Sequence, residues 1–148
     1  MNNKIPPPIV TLLCGFGIYF SRNLFPVFSH NYLDEISIVL LMLGFLTLIS
    51  AVLSFKKQKT TVNPLKPEKA SSLVTSGVFK YSRNPMYLGM LFILCSISIK
   101  FNLLGGLIII SLFVFFITKF QIIQEEIAME SLFKEEFSLY KEKTRRWI

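Results

Sequence analysis

The chain has 148 residues, the length of a single domain, and 52% of them are apolar, with a mean hydropathy of +0.54. This composition excludes an ordinary soluble domain and is typical of a membrane protein. The net charge of +7 does not indicate a nucleic-acid partner, because the cations lie in blocks outside the apolar runs, as topology signals do.

Cysteine and histidine usage gives no indication of a metal or redox centre. Cys14 and Cys95 lie inside apolar runs without metal-ligand or redox spacing, so we expect small buried hydrophobes and no metal site. His30 is the sole histidine, so no histidine-based triad or cluster can form. We expect His30 in a loop on the face opposite the chemistry.

Residues 1–55 predict two transmembrane helices. The first apolar run, from about Ile9 to Phe28, predicts a membrane helix that ends in an interfacial turn, with Arg22 reaching toward the headgroups. We interpret this segment as a retained anchor rather than a cleaved signal peptide. The uncharged run from Ile36 to Phe55 predicts a second helix about 30 Å long, which matches the hydrocarbon core.

Residues 56–83 predict a polar cytoplasmic loop. The loop has a strong excess of cations over its one acidic residue, Glu68, and such loops face the cytoplasm. Asn63-Pro64 and Lys66-Pro67 argue against a continuous helix. The cations are Lys56, Lys57, Lys59, Lys66, Lys69, Lys80 and Arg83.

Residues 84–148 predict a helical hairpin followed by an amphipathic helix. The hairpin comprises the apolar runs Met86–Ile99 and Leu103–Thr118, and Gly105-Gly106 near the turn would let the two backbones approach closely. From Lys119 the apolar residues recur at helical spacing between glutamates, which predicts a helix leaving the bilayer. At its end, Arg145, Arg146 and Trp147 are interpreted as interfacial anchors.

The fold class expected from these elements is all-α. We predict one polytopic membrane domain over residues 1–148, with about four transmembrane helices and a cytoplasmic amphipathic C-terminal helix. Both termini and the active site would face the cytoplasm, in a bacterial-type inner membrane. The pattern does not indicate an oligomeric state.

Polar chemistry concentrates where the third span begins. Asn84 is a favoured N-cap residue and Pro85 a natural first helical residue, so a helix start with unpaired N–H groups and the Arg83 guanidinium should attract an anion. On this topology Glu125-Glu126 reaches the same rim, where a cationic or hydroxyl-bearing ligand would offset the cost of desolvation. The alternative is an ion pair of Glu125 with Lys80 or Arg83, with Glu126 left in solvent.

The order of these motifs resembles that of a known family. Leu73-Val74-Thr75-Ser76-Gly77, then Arg83-Asn84-Pro85-Met86-Tyr87-Leu88-Gly89 and finally Glu125-Glu126 are similar to motifs of the integral-membrane methyltransferases. That family includes isoprenylcysteine carboxyl methyltransferase and the phospholipid N-methyltransferases. The resemblance covers about the C-terminal half of the chain, from Leu73 to Ile148.

The resemblance implies a methyltransferase that uses S-adenosylmethionine and a lipophilic or membrane-embedded acceptor. It implies Arg83 and Glu126 as catalytic residues, with Arg83 pairing with the methionine carboxylate or positioning the substrate. Gln121 occupies a substrate position. The implied cofactor contacts are Ser71, Ser72, Leu73, Val74, Phe79, Asn84, Pro85, Met86, Tyr87 and Glu125.

Several residues depart from the family pattern. Asn84 stands where histidine is typical, Lys134 replaces the glycine of a phenylalanine-glycine pair, and Phe137 replaces a tyrosine. Gln121 stands where the prenylcysteine enzymes use an arginine toward substrate. Carboxyl methylation, phospholipid amine N-methylation and a non-catalytic membrane scaffold all therefore remain open.

Overall fold

A computed structural model describes residues 5–26, 31–58 and 71–148. His30, the two proline pairs of the polar loop and Glu68 lie outside the described residues. The described part of the chain is helical and contains no strand, so the prediction of an all-α chain is confirmed. Its helices are α1 (Pro7–Phe20), α2 (Asn31–Lys57), α3 (Pro85–Phe101), α4 (Leu103–Ile117) and α5 (Ile123–Lys143).

Short tight turns connect or precede these helices. A 3₁₀ turn, Ser21–Leu24, follows α1, and another, Gly77–Lys80, lies before α3. A π-helical turn, Thr118–Ile122, joins α4 to α5 without a break in the helical path. Such wider turns are rare and occur often at functional sites.

Two helical stretches are long and apolar enough to cross a membrane, Tyr32–Lys57 and Leu103–Lys143. The other two predicted spans are shorter. α3 has 17 residues, and α1 has 14, about 21 Å of helix. The first helix ends in a turn, as expected: α1 stops at Phe20 and the chain tightens into the 3₁₀ turn at Ser21, ahead of Pro26, whereas Phe28 lies outside the described residues.

The apolar faces of the two long stretches point outward. Only 17% and 22% of their most apolar windows are buried, whereas the core helix of a soluble protein would be mostly buried. This arrangement suits a lipid environment. α4 is uncharged, whereas α5 carries charges along its whole length, so α4 is the apolar part of Leu103–Lys143.

α3 lies at the centre of the bundle and packs against α1, α2 and α4. Its fully buried Leu94 packs with Phe113 and Ile117 of α4 and Ile18 of α1. α3 and α4 form the predicted hairpin, and the Asn102 side chain at its turn caps α4 by accepting a hydrogen bond from the Gly105 N–H at 2.9 Å.

Glycines allow this bundle to pack closely. A Cβ atom on Gly106 would collide with the Ser98 side chain, so the predicted close approach of the hairpin backbones is confirmed at that residue. Sequence reasoning missed a second close contact, between α2 and α3. A Cβ atom on Gly89 would lie 2.8 Å from the Gly44 carbonyl oxygen, and one on Gly44 would lie 2.9 Å from the Gly89 carbonyl oxygen.

We predict that Gly89→Ala lowers the free energy of unfolding by about 1–3 kcal/mol, because the added methyl group must push two backbones apart. Gly17→Ala is the control. Its Cβ atom would meet only the Ile109 side chain at 3.4 Å, an ordinary contact, and alanine gains helix propensity. Thermal unfolding in detergent, followed by circular dichroism, measures both. Equal melting temperatures for the two variants would contradict the close α2–α3 contact.

α5 is kinked at Lys134, which has φ 42° and ψ −114°. Residues with a side chain rarely adopt this backbone conformation, whereas glycine adopts it freely. The backbone of Lys134 is therefore strained. Lys134 is the residue that replaces the glycine of the family's phenylalanine-glycine pair. The fold therefore keeps the glycine-like turn although the glycine is missing.

We predict that Lys134→Gly raises the free energy of unfolding by about 1 kcal/mol through relief of this strain. Lys134→Ala, which removes the same charge but keeps a Cβ atom, should not produce that gain. The melting temperatures of wild type, Lys134→Gly and Lys134→Ala test this prediction. A destabilised glycine variant, as expected for glycine inside a regular helix, would show that the kink is absent in solution.

Candidate functional site

The α3 helix start forms one side of a polar site. Asn84 occupies the N-cap position and Pro85 the first turn, as the sequence predicts. The expected side-chain cap is absent, however, since the Asn84 Nδ2 atom donates to the Arg146 carbonyl oxygen at 2.8 Å. The capping prediction was wrong because the amide binds the C-terminal segment instead.

Glu126 binds two arginines. Its carboxylate accepts from Arg83 Nη2 at 2.8 Å, from Arg146 Nη2 at 2.6 Å and from Arg146 Nε at 3.1 Å. The Glu126 side chain is only 16% exposed. The alternative that left Glu126 in solvent and paired Glu125 with Arg83 is therefore wrong, because the partner of Arg83 is the second glutamate.

This pairing keeps Glu126 ionised. Burial by itself raises its pKa, but the hydrogen bonds and positive charges of Arg146 and Arg83 outweigh burial and hold the pKa below the usual glutamate range. An ionised carboxylate held by two guanidinium groups is a weak base at neutral pH. The arrangement suits Glu126 to an organising role.

Arg83 is held on several sides. Its Nη1 atom donates to the carbonyl oxygens of Thr144 at 2.6 Å and Lys141 at 3.3 Å, and its backbone N–H donates to the Arg145 carbonyl oxygen at 3.0 Å. The side chain is 11% exposed, and its Nε atom is buried without a hydrogen-bond partner in the described residues. Arg83 thus connects the loop before α3 to the end of α5.

Glu125 lies in a different environment from its neighbour. Its carboxyl group accepts hydrogen bonds from the Tyr87 hydroxyl and from Gln121 Nε2, the latter at 3.1 Å. Burial, assisted by the charge of Glu126, raises the pKa of Glu125 to about 7, although the bonds from Tyr87 and Gln121 act in the other direction. The residue as a whole is half-buried, and its carboxyl group lies against the Tyr87 and Gln121 side chains.

Gln121, the expected substrate residue, is buried in the π-helical turn and directs its amide toward Glu125. Its side chain therefore orients the glutamate. Tyr87 is also buried, in the main apolar cluster, with its hydroxyl directed at the same carboxyl group.

The remaining expected cofactor residues lie along the loop that faces α2. Val74 and Phe79 are buried with Ala51 in a small apolar cluster against which Met86 packs. The Phe79 ring meets Phe55 edge-on, with centroids 5.1 Å apart. The earlier part of the loop is more open: Ser71 is exposed, Leu73 is half-buried, and the Ser72 hydroxyl donates to the Gln58 carbonyl oxygen at 3.3 Å.

Sequence reasoning missed the role of the C-terminal segment. Arg146 and Trp147, expected as interfacial anchors, fold back onto the site. Trp147 packs against the main apolar cluster and its Nε1 atom donates to Thr118 Oγ1 at 3.2 Å. Arg146 follows Glu126 by 20 residues, and no local pattern links the two.

An apolar groove of about 720 Å³ runs along α4 and the π-helical turn. Lys119 lies at its charged end, with Nζ 5.5 Å from the Phe115 ring centroid. The groove is lined by Ile110, Ser111, Val114, Phe115, Thr118, Lys119 and Ile123. Among the described residues, no three His, Cys, Asp or Glu side chains gather as a metal site.

The fold and the site define a class: an all-helical membrane protein with a polar site at one end of its helical hairpin. The sequence model of the phospholipid methyltransferases matches residues 34–136, more than half of the chain. The chain therefore belongs to the phospholipid methyltransferase family, which confirms the resemblance to integral-membrane methyltransferases.

A similar protein is known in Haemophilus influenzae. That uncharacterized protein is 42% identical over 64 residues, which make up 43% of this chain and the whole of the relative. No solved structure matches the chain.

We predict that Glu126→Gln lowers the free energy of unfolding at pH 7 by about 2 kcal/mol, since both arginines lose a charged acceptor. Because the folded-state pKa of Glu126 is depressed, its stabilisation is present above the unfolded pKa of about 4.3 and is lost as pH falls through the folded value. The difference between wild type and variant should therefore shrink in acid.

The control is Glu130→Gln, which removes an exposed carboxylate paired with Lys141. It should shift the melting temperature little at any pH. Unfolding curves between pH 7 and pH 3 in detergent provide the comparison. A Glu126 variant that matches the Glu130 variant throughout would contradict the two-arginine pairing.

Proposed function

We propose that this chain catalyses S-adenosylmethionine-dependent methyl transfer to a lipophilic or membrane-embedded acceptor. The observation that carries the proposal is the half-buried residue Glu125, whose carboxyl group is oriented by Tyr87 and Gln121 beside the ion-paired Glu126. Membership of a methyltransferase family supports the same reaction class. Residues 1–148 would act as one domain, with the site on the cytoplasmic side.

The donor groups present suit the cofactor. A carboxylate accepts hydrogen bonds from two adjacent ribose hydroxyls, which favours Glu125 for that role. The N–H groups of Met86 and Tyr87 lie in the first turn of α3, where a helix has no internal acceptor for them, and they suit an anionic or carbonyl oxygen. The loop Ser71–Val74 would complete the binding surface. The cofactor supplies an activated methyl group on a sulfonium.

The acceptor must meet that methyl group in line, so the contribution of the protein is orientation and exclusion of water. A carboxylate acceptor, as in isoprenylcysteine carboxyl methylation, needs no base. Glu126 is unsuited as a base, because the two arginines lower its pKa and occupy both of its oxygens.

Phospholipid amine N-methylation is the second candidate. A protonated amine must lose a proton before it attacks, and with Glu125 assigned to the ribose this proton would pass to water or to the phosphate of the substrate itself. The family match favours this candidate, as does Gln121, which stands where an arginine would bind a prenylcysteine carboxylate.

The groove along α4 suits the apolar part of either acceptor. Its volume lies in the range of small-molecule sites, and its lining is almost entirely apolar. Lys119 at its end suits an anionic headgroup. An acyl or prenyl chain lying there would have its polar end near the turn that carries Gln121.

Titration with S-adenosylhomocysteine in detergent tests the cofactor site. We expect Glu125→Gln to weaken binding at least about 10-fold, because a charged acceptor becomes a neutral amide. Glu130→Gln, the matched exposed control, should bind as wild type does. Since binding to hydroxyls favours the ionised form, affinity should rise as pH increases through about 7 in wild type and stay flat in Glu125→Gln.

Full affinity and turnover in a folded Glu125→Gln or Arg83→Ala protein would refute this site. No measurable binding by wild type would favour the non-catalytic scaffold. Incubating lipid extracts with methyl-labelled cofactor separates the two acceptor classes, since mild base releases methyl esters and leaves N-methyl groups in place.

A further inference from the structure

We propose that residues 144–147 form a strap that closes the site, and that Arg146 is a positioning residue acting through Glu126. This inference rests on the proposed function in one respect: the strap is expected to change the affinity of the site for the cofactor. It assigns to the C-terminal basic segment a role at the site that the sequence pattern attributes to the lipid interface.

The backbone of the strap is fixed to the loop before α3. The Arg146 carbonyl oxygen accepts from Asn84 Nδ2 at 2.8 Å and from Ser82 Oγ at 3.4 Å, and the Thr144 carbonyl oxygen accepts from Arg83 Nη1 at 2.6 Å. The three donors, Ser82, Arg83 and Asn84, are consecutive residues that lie directly before α3. Ser82 and Thr144 are buried, so the contacts are shielded from water.

The Arg146 side chain adds the contact that reaches the acidic pair. It binds both oxygens of Glu126, with Nη2 on one and Nε on the other. Without Arg146, Glu126 would keep only Arg83, and the carboxylate could rotate toward solvent. Glu125 and Glu126 share the first turn of α5, so loss of this anchor would loosen the turn that carries the carboxyl group to which we assign the ribose.

The far end of the strap is held by Trp147, which packs on the main apolar cluster and donates to Thr118. Thr118 opens the π-helical turn that carries Gln121. The strap therefore connects both elements that orient Glu125: the start of α3, with Tyr87, and the turn with Gln121. A small displacement of the strap would affect both.

Arg145 provides a matched control. It is the neighbouring residue, carries the same charge and is exposed, and it contacts Arg83 through its carbonyl oxygen, which a side-chain substitution leaves in place. Arg145→Ala and Arg146→Ala thus remove the same charge from adjacent positions. Only the second should release the strap.

Trp147 is the one tryptophan of the chain, so its fluorescence reports the strap without any need for activity. In detergent, quenching by acrylamide, which is neutral and insensitive to the charge change, should increase at least about 2-fold in Arg146→Ala and in Glu126→Gln. It should stay unchanged in Arg145→Ala. Arg146→Lys keeps the positive charge but lacks the two-pronged guanidinium group, so its quenching should be intermediate. This variant replaces Arg146→Ala in the comparison if the alanine variant does not fold.

The same preparations are then titrated with S-adenosylhomocysteine. We expect affinity to fall about 10-fold in Arg146→Ala and less than 2-fold in Arg145→Ala. In the Glu126→Gln background, Arg146→Ala should have little further effect, because its partner is already gone. In turnover assays the KM for the cofactor should rise more than kcat falls.

Wild-type affinity in Arg146→Ala, equal losses in the two alanine variants, or additive losses in the double variant would overturn the positioning role. Unchanged quenching in Arg146→Ala would overturn the strap. A wild-type protein that does not bind S-adenosylhomocysteine would instead overturn the proposed function, and the quenching series alone would then decide whether the strap exists.

Discussion

The two arginines on Glu126 are the interaction on which the site depends. A single buried guanidinium or carboxylate would be costly, and leaving one partner unpaired costs more than the pair contributes. Arg83 comes from the loop before α3, Glu126 from the first turn of α5 and Arg146 from the C-terminal segment, so one carboxylate joins three separate parts of the chain. These ion pairs hold the three segments together. Because both arginines pair with Glu126, the Glu125 carboxyl group is not needed to neutralise them.

The helical bundle brings these charged groups to one end. α3 is surrounded by α1, α2 and α4, and it packs closely against α2 at Gly44 and Gly89. The hairpin returns the chain, so that the start of α3 and the start of α5 meet. At the other end, Lys100 pairs with Asp34 at 2.7 Å, and apolar side chains lie between the two polar regions.

Local patterns predicted much of the fold and part of the site. The start of α3 at Pro85, the hairpin and the meeting of Arg83 with the twin glutamates follow from turn chemistry, apolar runs and motif order. The choice of Glu126 over Glu125, the bond from Asn84 to Arg146 and the folded-back Trp147 could not be predicted, because they join residues 20 to 62 positions apart with no shared periodicity. The turn that ends the first helix was predicted from the polar residues within its apolar run, and the structure places that turn at Ser21–Leu24.

An experimental structure with S-adenosylhomocysteine bound in detergent or nanodiscs tests the central claim most directly. The account predicts the ribose hydroxyls within hydrogen-bonding distance of the Glu125 carboxylate, about 3 Å, and the amino-acid end near the first turn of α3. It also predicts that Arg83 and Arg146 remain on Glu126. Ligand density bounded by other residues, or a Glu126 released from both arginines while Glu125 makes no contact with the ligand, would contradict it.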